Sequence, residues 1–255
     1  MPPETRYARL GGDRIAYQVL GEGPPDLVMA PASFGHVDIA WEDPGIALFL
    51  RTLASFSRLV LFDRRGTGAS DPLPANSAPP LESYADELSA VLDEVGSERA
   101  ALLAELDAGP TAILFAGTRP QRTSALVLMH TTARYLAADD YPIGVPAEAA
   151  EALVGQVHQL WGTEALAVML VPSRAGDERF AAGSRRCCGP ASAPAPPRRS
   201  CGPWWRPMCV VSCRWCRRQR SFCIDGTSRS SHSSTAAIWP STSGGRSWWS
   251  CRGPT

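Results

Sequence analysis

The residues that could do chemistry are concentrated in the short segment 104–110, AELDAGP. Two carboxylates, Glu105 and Asp107, lie on either side of Leu106. Paired carboxylates can divide the work of a general acid and a general base. Two acids on a turn are also favoured near a helix N-terminus, where the helix dipole stabilises negative charge. The second interpretation is the simpler one, and the sequence leaves the first open.

The residues around this segment predict a sharp turn. Ala100–Ala104 has the apolar composition of a short buried strand, and Pro110–Gly117 that of a helix. Strand, abrupt turn and helix form the layout of a nucleophile elbow, which lifts one side chain above the sheet. The layout needs small residues two positions before and after the raised one, and Ala104 and Ala108 meet this around position 106. Leu106 occupies that position, and a leucine carries no nucleophile.

The elements that position this turn alternate between strands and helices. Continuous apolar runs predict buried strands, and apolar spacing of three to four residues predicts helices. Alternation of this kind favours an α/β fold with a mostly parallel sheet covered by helices on both faces. The predicted strands are 7–10, 14–20, 26–30, 58–62, 100–104 and 124–129, and the predicted helices are 45–55, 81–95, 110–117 and one or two within 148–170.

Composition divides the chain sharply near residue 180. Residues 1–180 hold 13 Arg and 24 acidic residues, whereas residues 181–255 hold 12 Arg and a single acid, Asp225. All 8 Cys lie at or after Cys187, and Leu and Tyr do not occur after Phe180. No apolar run is long enough for a membrane span, and the start lacks the apolar segment of a signal peptide. We therefore expect a cytoplasmic protein without membrane association.

The loop after the fourth predicted strand carries a further pattern, Asp-x-Arg-Gly-x-Gly-x-Ser, at Asp63–Ser70. Together with the elbow, this loop resembles the α/β-hydrolase family over about residues 4–175. The sequence is similar to that of a subgroup whose members are often fused to nucleotide-cyclase or transcription-regulator domains. That subgroup often carries Gly-x-Ser-x-Gly-Gly-Pro where this chain has residues 104–110.

The resemblance implies an α/β-hydrolase-like fold, truncated after about the sixth core strand. Residues 1–135 would form the core, 136–180 the start of the lid helices, and 181–255 an irregular tail. The backbone N–H groups of Ser33 and Asp107 would form the oxyanion hole, as backbone donors survive side-chain changes. Asp107 is also a candidate nucleophile for esters or halides, because some relatives use an elbow aspartate. That register would put Glu105 where a small residue is required.

The three histidines before residue 181 do not complete a catalytic triad in this scheme. In the family the base follows the elbow in chain order. His36 precedes the elbow, His130 follows it too soon, and His158 falls in a helical segment. We interpret all three as structural, and Asp63 as a structural loop acid.

The basic tail admits two interpretations. Its arginines, its Trp pairs and Cys213-x-x-Cys216 are compatible with a nucleic-acid or zinc module, although one Cys pair is half a zinc site. The alternative is out-of-frame translation. Cys, Trp and most Ser codons begin with T, and codons with T in the middle encode apolar residues. Re-read one base upstream, residues 213–225 become LPLVQAPTLVLHR, which resembles a late strand of the same family.

We therefore predict a hydrolase homologue without its nucleophile, with a small hydrophobic ligand as its partner. We predict no metal, no cofactor and no nucleic acid. The tail should show little regular structure, because a segment translated out of frame lacks the hydrophobic periodicity of a strand or a helix.

Overall fold

A mixed sheet organises the molecule. The computed structural model describes residues 1–74, 77, 79–187 and 250–252. Its strands are β1 (Arg6–Leu10), β2 (Asp13–Leu20), β3 (Asp26–Ala30), β4 (Arg58–Phe62), β5 (Ala100–Glu105), β6 (Thr123–Met129) and β7 (Ser250–Arg252). Its helices are α1 (Pro44–Ala54), α2 (Leu81–Glu94), α3 (Gly109–Thr118), α4 (Ala147–Leu160), α5 (Glu164–Leu170) and α6 (Glu178–Cys187). The α/β-hydrolase-like fold expected from the sequence is confirmed.

The strand order is β1-β2-β4-β3-β5-β6-β7. The four strands β4, β3, β5 and β6 are parallel, whereas β1, β2 and β7 join their neighbours antiparallel. The sheet is therefore mixed, and its parallel part is confined to the centre. The carboxyl ends of β4, β3 and β5 are adjacent, so the loops that follow these strands meet at one edge.

Alternation along the central strands divides the core into two layers. Val28 and Ala30 of β3 pack with α2 and α3 on one face, whereas Leu27 and Met29 pack with α1 on the other. Leu102 and Leu103 of β5 show the same alternation. Strands covered on both faces read as continuous apolar runs, which is why the sequence located them.

Helix α2 ends, and helix α1 begins, with a residue type that is preferred at that end of a helix. Gly96 follows α2 with a φ of 64°, and the N–H of Ser97 donates to the carbonyl of Leu92 at 2.8 Å. Asp43 caps α1 by accepting from the N–H groups of Gly45 and Ile46 at 2.8 and 3.0 Å. Glycine in the left-handed region and aspartate at the N-cap are the preferred residues at these two positions.

The helix α6 extends past the point where we expected irregular structure to begin. It runs to Cys187, and Ala181 within it is buried. The carboxylate of Asp177 accepts from the N–H of Phe180 at 3.0 Å and so stabilises the start of the helix. Arg174 joins Asp177 and Asp43, each at 2.6 Å, which ties this region to α1. Capping and local burial therefore carry regular structure across residue 181.

The three-residue strand β7 is a short stretch of regular structure within the segment where we expected little of it. Its backbone pairs with residues 125–127 of β6, which offers unpaired backbone groups at the edge of the parallel strands. The rest of the expected irregular tail, residues 188–249 and 253–255, lies outside the described residues. Among the described helices, none has the length and apolar composition required to cross a membrane.

Candidate functional site

The turn between β5 and α3 is strained at one residue. Leu106 has a φ of 51°, and among the described non-glycine residues only His130 shares a positive φ. The left-handed region costs a residue with a Cβ about 1–2 kcal/mol. Leu106 is 49% exposed as a whole residue, whereas the strand before it is largely buried. The strained backbone conformation therefore lies at Leu106 and not at Asp107.

Close packing around the turn explains why its neighbours are small. Ala104 and Ala108 are 0% and 1% exposed. A Cβ on Gly109 would collide with the side chain of Thr131, whose hydroxyl donates to the carbonyl of Leu106. The loop after β6 therefore stabilises the strained turn through the hydrogen bond and the packing of Thr131.

The Asp107 side chain turns away from the exposed face and toward the loop after β3. Its Oδ1 accepts from the backbone N–H of Ser33 at 3.0 Å, and its Oδ2 accepts from the Ser33 hydroxyl. The Nη2 of Arg64 lies 3.2 Å from the same Oδ2. The side chains of Arg64 and Asp107 are 8% and 13% exposed, so the ion pair is largely withdrawn from water.

Arg64 is the functional-site residue that the sequence interpretation missed. It follows β4 directly, its Nη2 also donates to the Ser33 hydroxyl, and its Cζ lies 4.9 Å from the centre of the Tyr84 ring. Burial raises the pKa of Tyr84, and the charge of Arg64 lowers it in part. A charged residue at the carboxyl end of a buried strand was the available signal, because such ends meet where parallel sheets bind ligands.

Of the two expected oxyanion-hole donors, the Ser33 N–H lies at the edge of the elbow and donates to the carboxylate of Asp107. The arrangement is chemically an anion site built from an amide, a hydroxyl and a guanidinium. The anion in it is a side chain of the same chain.

Asp63 is buried at 1% exposure and holds the neighbouring loops together. Its carboxylate accepts from the N–H of Val37 at 3.0 Å and from the N–H of Ala69 at 2.8 Å. Burial raises the pKa of Asp63 to about 6, while these two N–H groups lower it in part. The contacts are those of a structural acid that fixes the loops after β3 and β4.

The other candidates are dispersed. His36 accepts from the N–H of Asp38 at 3.2 Å through Nδ1, and His158 lies on α4. Burial raises the pKa of Glu105, with His130 opposing that shift and Asp107 reinforcing it. Asp107 instead contacts the loops after β3 and β4, where it accepts hydrogen bonds from Ser33 and forms an ion pair with Arg64. Within the part of the chain that the structure describes, no group of three or more His, Cys, Asp or Glu residues is placed to hold a metal. Cys213 and Cys216 lie outside the described residues.

Comparisons with known proteins give relatives for about half of the chain. A karrikin-insensitive 2 receptor of Petunia hybrida is 27% identical over 129 residues, which cover 50% of this chain and 45% of the receptor. A 2-hydroxy-6-oxononadienedioate/2-hydroxy-6-oxononatrienedioate hydrolase of Pseudomonas putida is 33% identical over 133 residues, covering 49% and 44%. The chain therefore spans less than half the length of these curated relatives. No protein-family model matches it.

Solved structures extend the similarity to three quarters of the chain. A hydrolase from Pseudomonas aeruginosa superimposes with a TM-score of 0.55 at 24% identity, over 74% of this chain and 71% of that one. An enol-lactonase from Burkholderia xenovorans gives 0.57 at 20% identity, over 74% and 69%. At such identities the likeness concerns the fold alone. The chain has the α/β-hydrolase fold.

Proposed function

We propose that this protein is a non-catalytic α/β-hydrolase homologue that senses a small hydrophobic ligand. The observation that carries the proposal is Leu106 at the strained turn after β5, with a φ of 51° and 49% of the residue exposed. A nucleophilic enzyme of this fold needs a reactive group there. Leucine supplies an apolar surface in its place.

The surroundings of Asp107 support the absence of turnover. Acyl transfer requires N–H donors that are open to the developing oxyanion. The Ser33 N–H donates to Asp107 Oδ1 at 3.0 Å, so this donor is engaged before any substrate arrives. A sensing role is compatible with the name of the Petunia relative, which is a receptor, and with the subgroup resemblance to chains fused to regulatory domains.

We also propose that the sequence from about residue 181 is translated out of frame. The support is compositional: a single acid, no Leu and all 8 Cys beyond this region. The family resemblance implies further strands after β6, and the re-read sequence of residues 213–225 has the continuous apolar run of a buried strand. Sequencing the gene around the codons for Phe180 to Arg186 tests it. An uninterrupted frame that agrees with the printed text would overturn the proposal.

Activity and binding assays on the full chain test the sensing function. With p-nitrophenyl esters, neutral lactones and haloalkanes, we expect hydrolysis no faster than in buffer. Thermal shift measurements with the same compounds should identify binders. Leu106→Arg should remove that binding, whereas Leu48→Arg, at an exposed leucine on α1, should preserve it. Turnover of any compound that Leu106→Arg abolishes would overturn the non-catalytic assignment.

An active hydrolase that uses Asp107 is the second candidate, because Asp107 is a largely buried carboxylate next to the elbow. Nucleophilic attack on a haloalkane would expel the halide and leave an alkyl ester on the Asp107 side chain, whereas attack on an activated ester would expel the alcohol group and leave a mixed anhydride. Mass spectrometry of the Asp107 peptide after incubation with haloalkanes and activated esters decides between the two. We expect an unmodified peptide, and an adduct on Asp107 would establish the alternative.

A further inference from the structure

The carboxylate of Asp107 is held by groups from two other loops. The Ser33 N–H and hydroxyl come from the loop after β3, and the Arg64 guanidinium comes from the loop after β4. Asp107 itself follows β5. Because β4, β3 and β5 are neighbours in the sheet, their carboxyl ends bring these three loops to one point.

The donors around Asp107 are fixed by interactions of their own. The Arg64 Nη2 donates to the Ser33 hydroxyl, and the guanidinium lies over the Tyr84 ring at 4.9 Å. Arg64 is 7% exposed as a whole residue, so its orientation is set by packing. Because packing and these contacts fix the rotamer of Arg64, we expect its guanidinium to stay in place when the carboxylate beside it is removed.

We propose that Asp107 is a built-in occupant of an anion-binding position, and that it keeps small carboxylates out of the elbow. The position has the donors that recognise a carboxylate: one backbone N–H, one hydroxyl and one guanidinium. Truncation of Asp107 opens it to an external anion of the same size, such as formate or acetate.

Anion binding at this position is independent of the hydrophobic ligand proposed above. Asp107→Ala removes the internal carboxylate and leaves a cavity flanked by Ser33 and Arg64. Asp107→Asn is the matched control, because the amide fills the same space and keeps the anion out. Asp107→Ala combined with Arg64→Met removes the charge that attracts the anion.

The experiment is thermal unfolding of the full chain in sodium formate, with sodium chloride at equal ionic strength as the reference. An anion that binds the folded state and not the unfolded state raises Tm. Formate at about five times its Kd should therefore raise the Tm of Asp107→Ala by about 2–4 °C. The rise should saturate with formate concentration. The wild type, Asp107→Asn and the double variant should respond equally to both salts.

Three results would overturn the proposal: no response of Asp107→Ala to formate, an equal response of the wild type, or a response that persists in the double variant. Asp107→Ser covers the case in which Asp107→Ala does not fold in chloride. Folding of Asp107→Ala in formate, or a formate response of Asp107→Ser, supports the proposal. Failure of both variants to respond contradicts it.

Discussion

The carboxylate of Glu87 is completely buried and accepts two hydrogen bonds from Arg65. The Arg65 backbone N–H donates to Glu87 at 3.1 Å, and its Nε donates at 2.7 Å. Burial raises the pKa of Glu87, and Arg65 lowers it in part. This pair fastens α2 to the loop after β4, which is the loop that also carries Arg64.

Arg65→Met should destabilise the protein strongly, because it leaves a buried carboxylate without its charged partner. Breaking a buried pair from one side costs about 3–5 kcal/mol of unfolding free energy. Urea unfolding measures the loss. Arg14→Met is the control, since the Arg14 side chain is 54% exposed in its pair with Asp71 and exposed pairs contribute about 0–1 kcal/mol. Similar losses in the two variants would contradict the role assigned to Glu87.

The buried carboxylate of Asp63 predicts a pH dependence of stability. Its pKa is raised from 3.8 to about 6 by burial, so the folded state binds this proton more tightly than the unfolded state. The stability contribution is therefore complete below about pH 4 and is lost as the pH rises toward 6. A shift of this size corresponds to roughly 2–3 kcal/mol.

Urea unfolding between pH 4 and 6.5, on the wild type and on Asp63→Asn, measures this contribution. The free energy of unfolding should fall with pH more steeply in the wild type, because asparagine does not titrate. Groups with lowered pKa, such as Asp26 and Asp43, act below this window and are common to both proteins. Parallel pH curves would exclude the titration of Asp63 as the cause.

The sequence located much of the fold because the signals were local. The runs DLVMA and RLVLF predicted β3 and β4, and both strands lie there. The small residues Ala104 and Ala108 placed the raised position at Leu106, where the structure has the positive φ. Strand composition and steric limits at a turn are properties of neighbouring residues, so they are visible in one dimension.

The partners of Asp107 could not be predicted in the same way. Ser33 lies 74 residues before it, and Arg64 occupies a variable position of the Asp63–Ser70 motif. Which side chain points into a shared edge depends on how three loops pack together. The extension of α6 to Cys187 depends likewise on burial of Ala181 and on the contacts of Arg174.

Because the backbone at Leu106 is strained, we expect glycine to be more stable than alanine at this position, which is the reverse of the order within a helix. At a φ of 51° an alanine retains the steric cost of the left-handed region, whereas glycine does not. Leu106→Gly should therefore be more stable than Leu106→Ala by about 1 kcal/mol. At Leu48, exposed within α1, Leu48→Gly should be less stable than Leu48→Ala by about 1 kcal/mol. Thermal unfolding of the four variants checks both differences, and the same order at both positions would show that the turn is unstrained.

Gly68 and Gly96 separate backbone strain from steric collision. Both have positive φ, 54° and 64°, so an alanine at either pays about 1–2 kcal/mol for its backbone conformation. A Cβ at Gly96 meets nothing within 4 Å, whereas a Cβ at Gly68 collides with the Asp63 carboxylate. Relief of that collision moves Asp63 away from the N–H groups of Val37 and Ala69, which adds about 1–3 kcal/mol for each donor left unpaired. Gly68→Ala should thus lower the free energy of unfolding well beyond Gly96→Ala in urea.

A double-mutant cycle tests whether Gly68 and Asp63 interact. Combining Gly68→Ala with Asp63→Ala should lower the free energy of unfolding by less than the sum of the two single losses, because the collision is then removed. Strict additivity in this cycle would mean that the two residues do not interact.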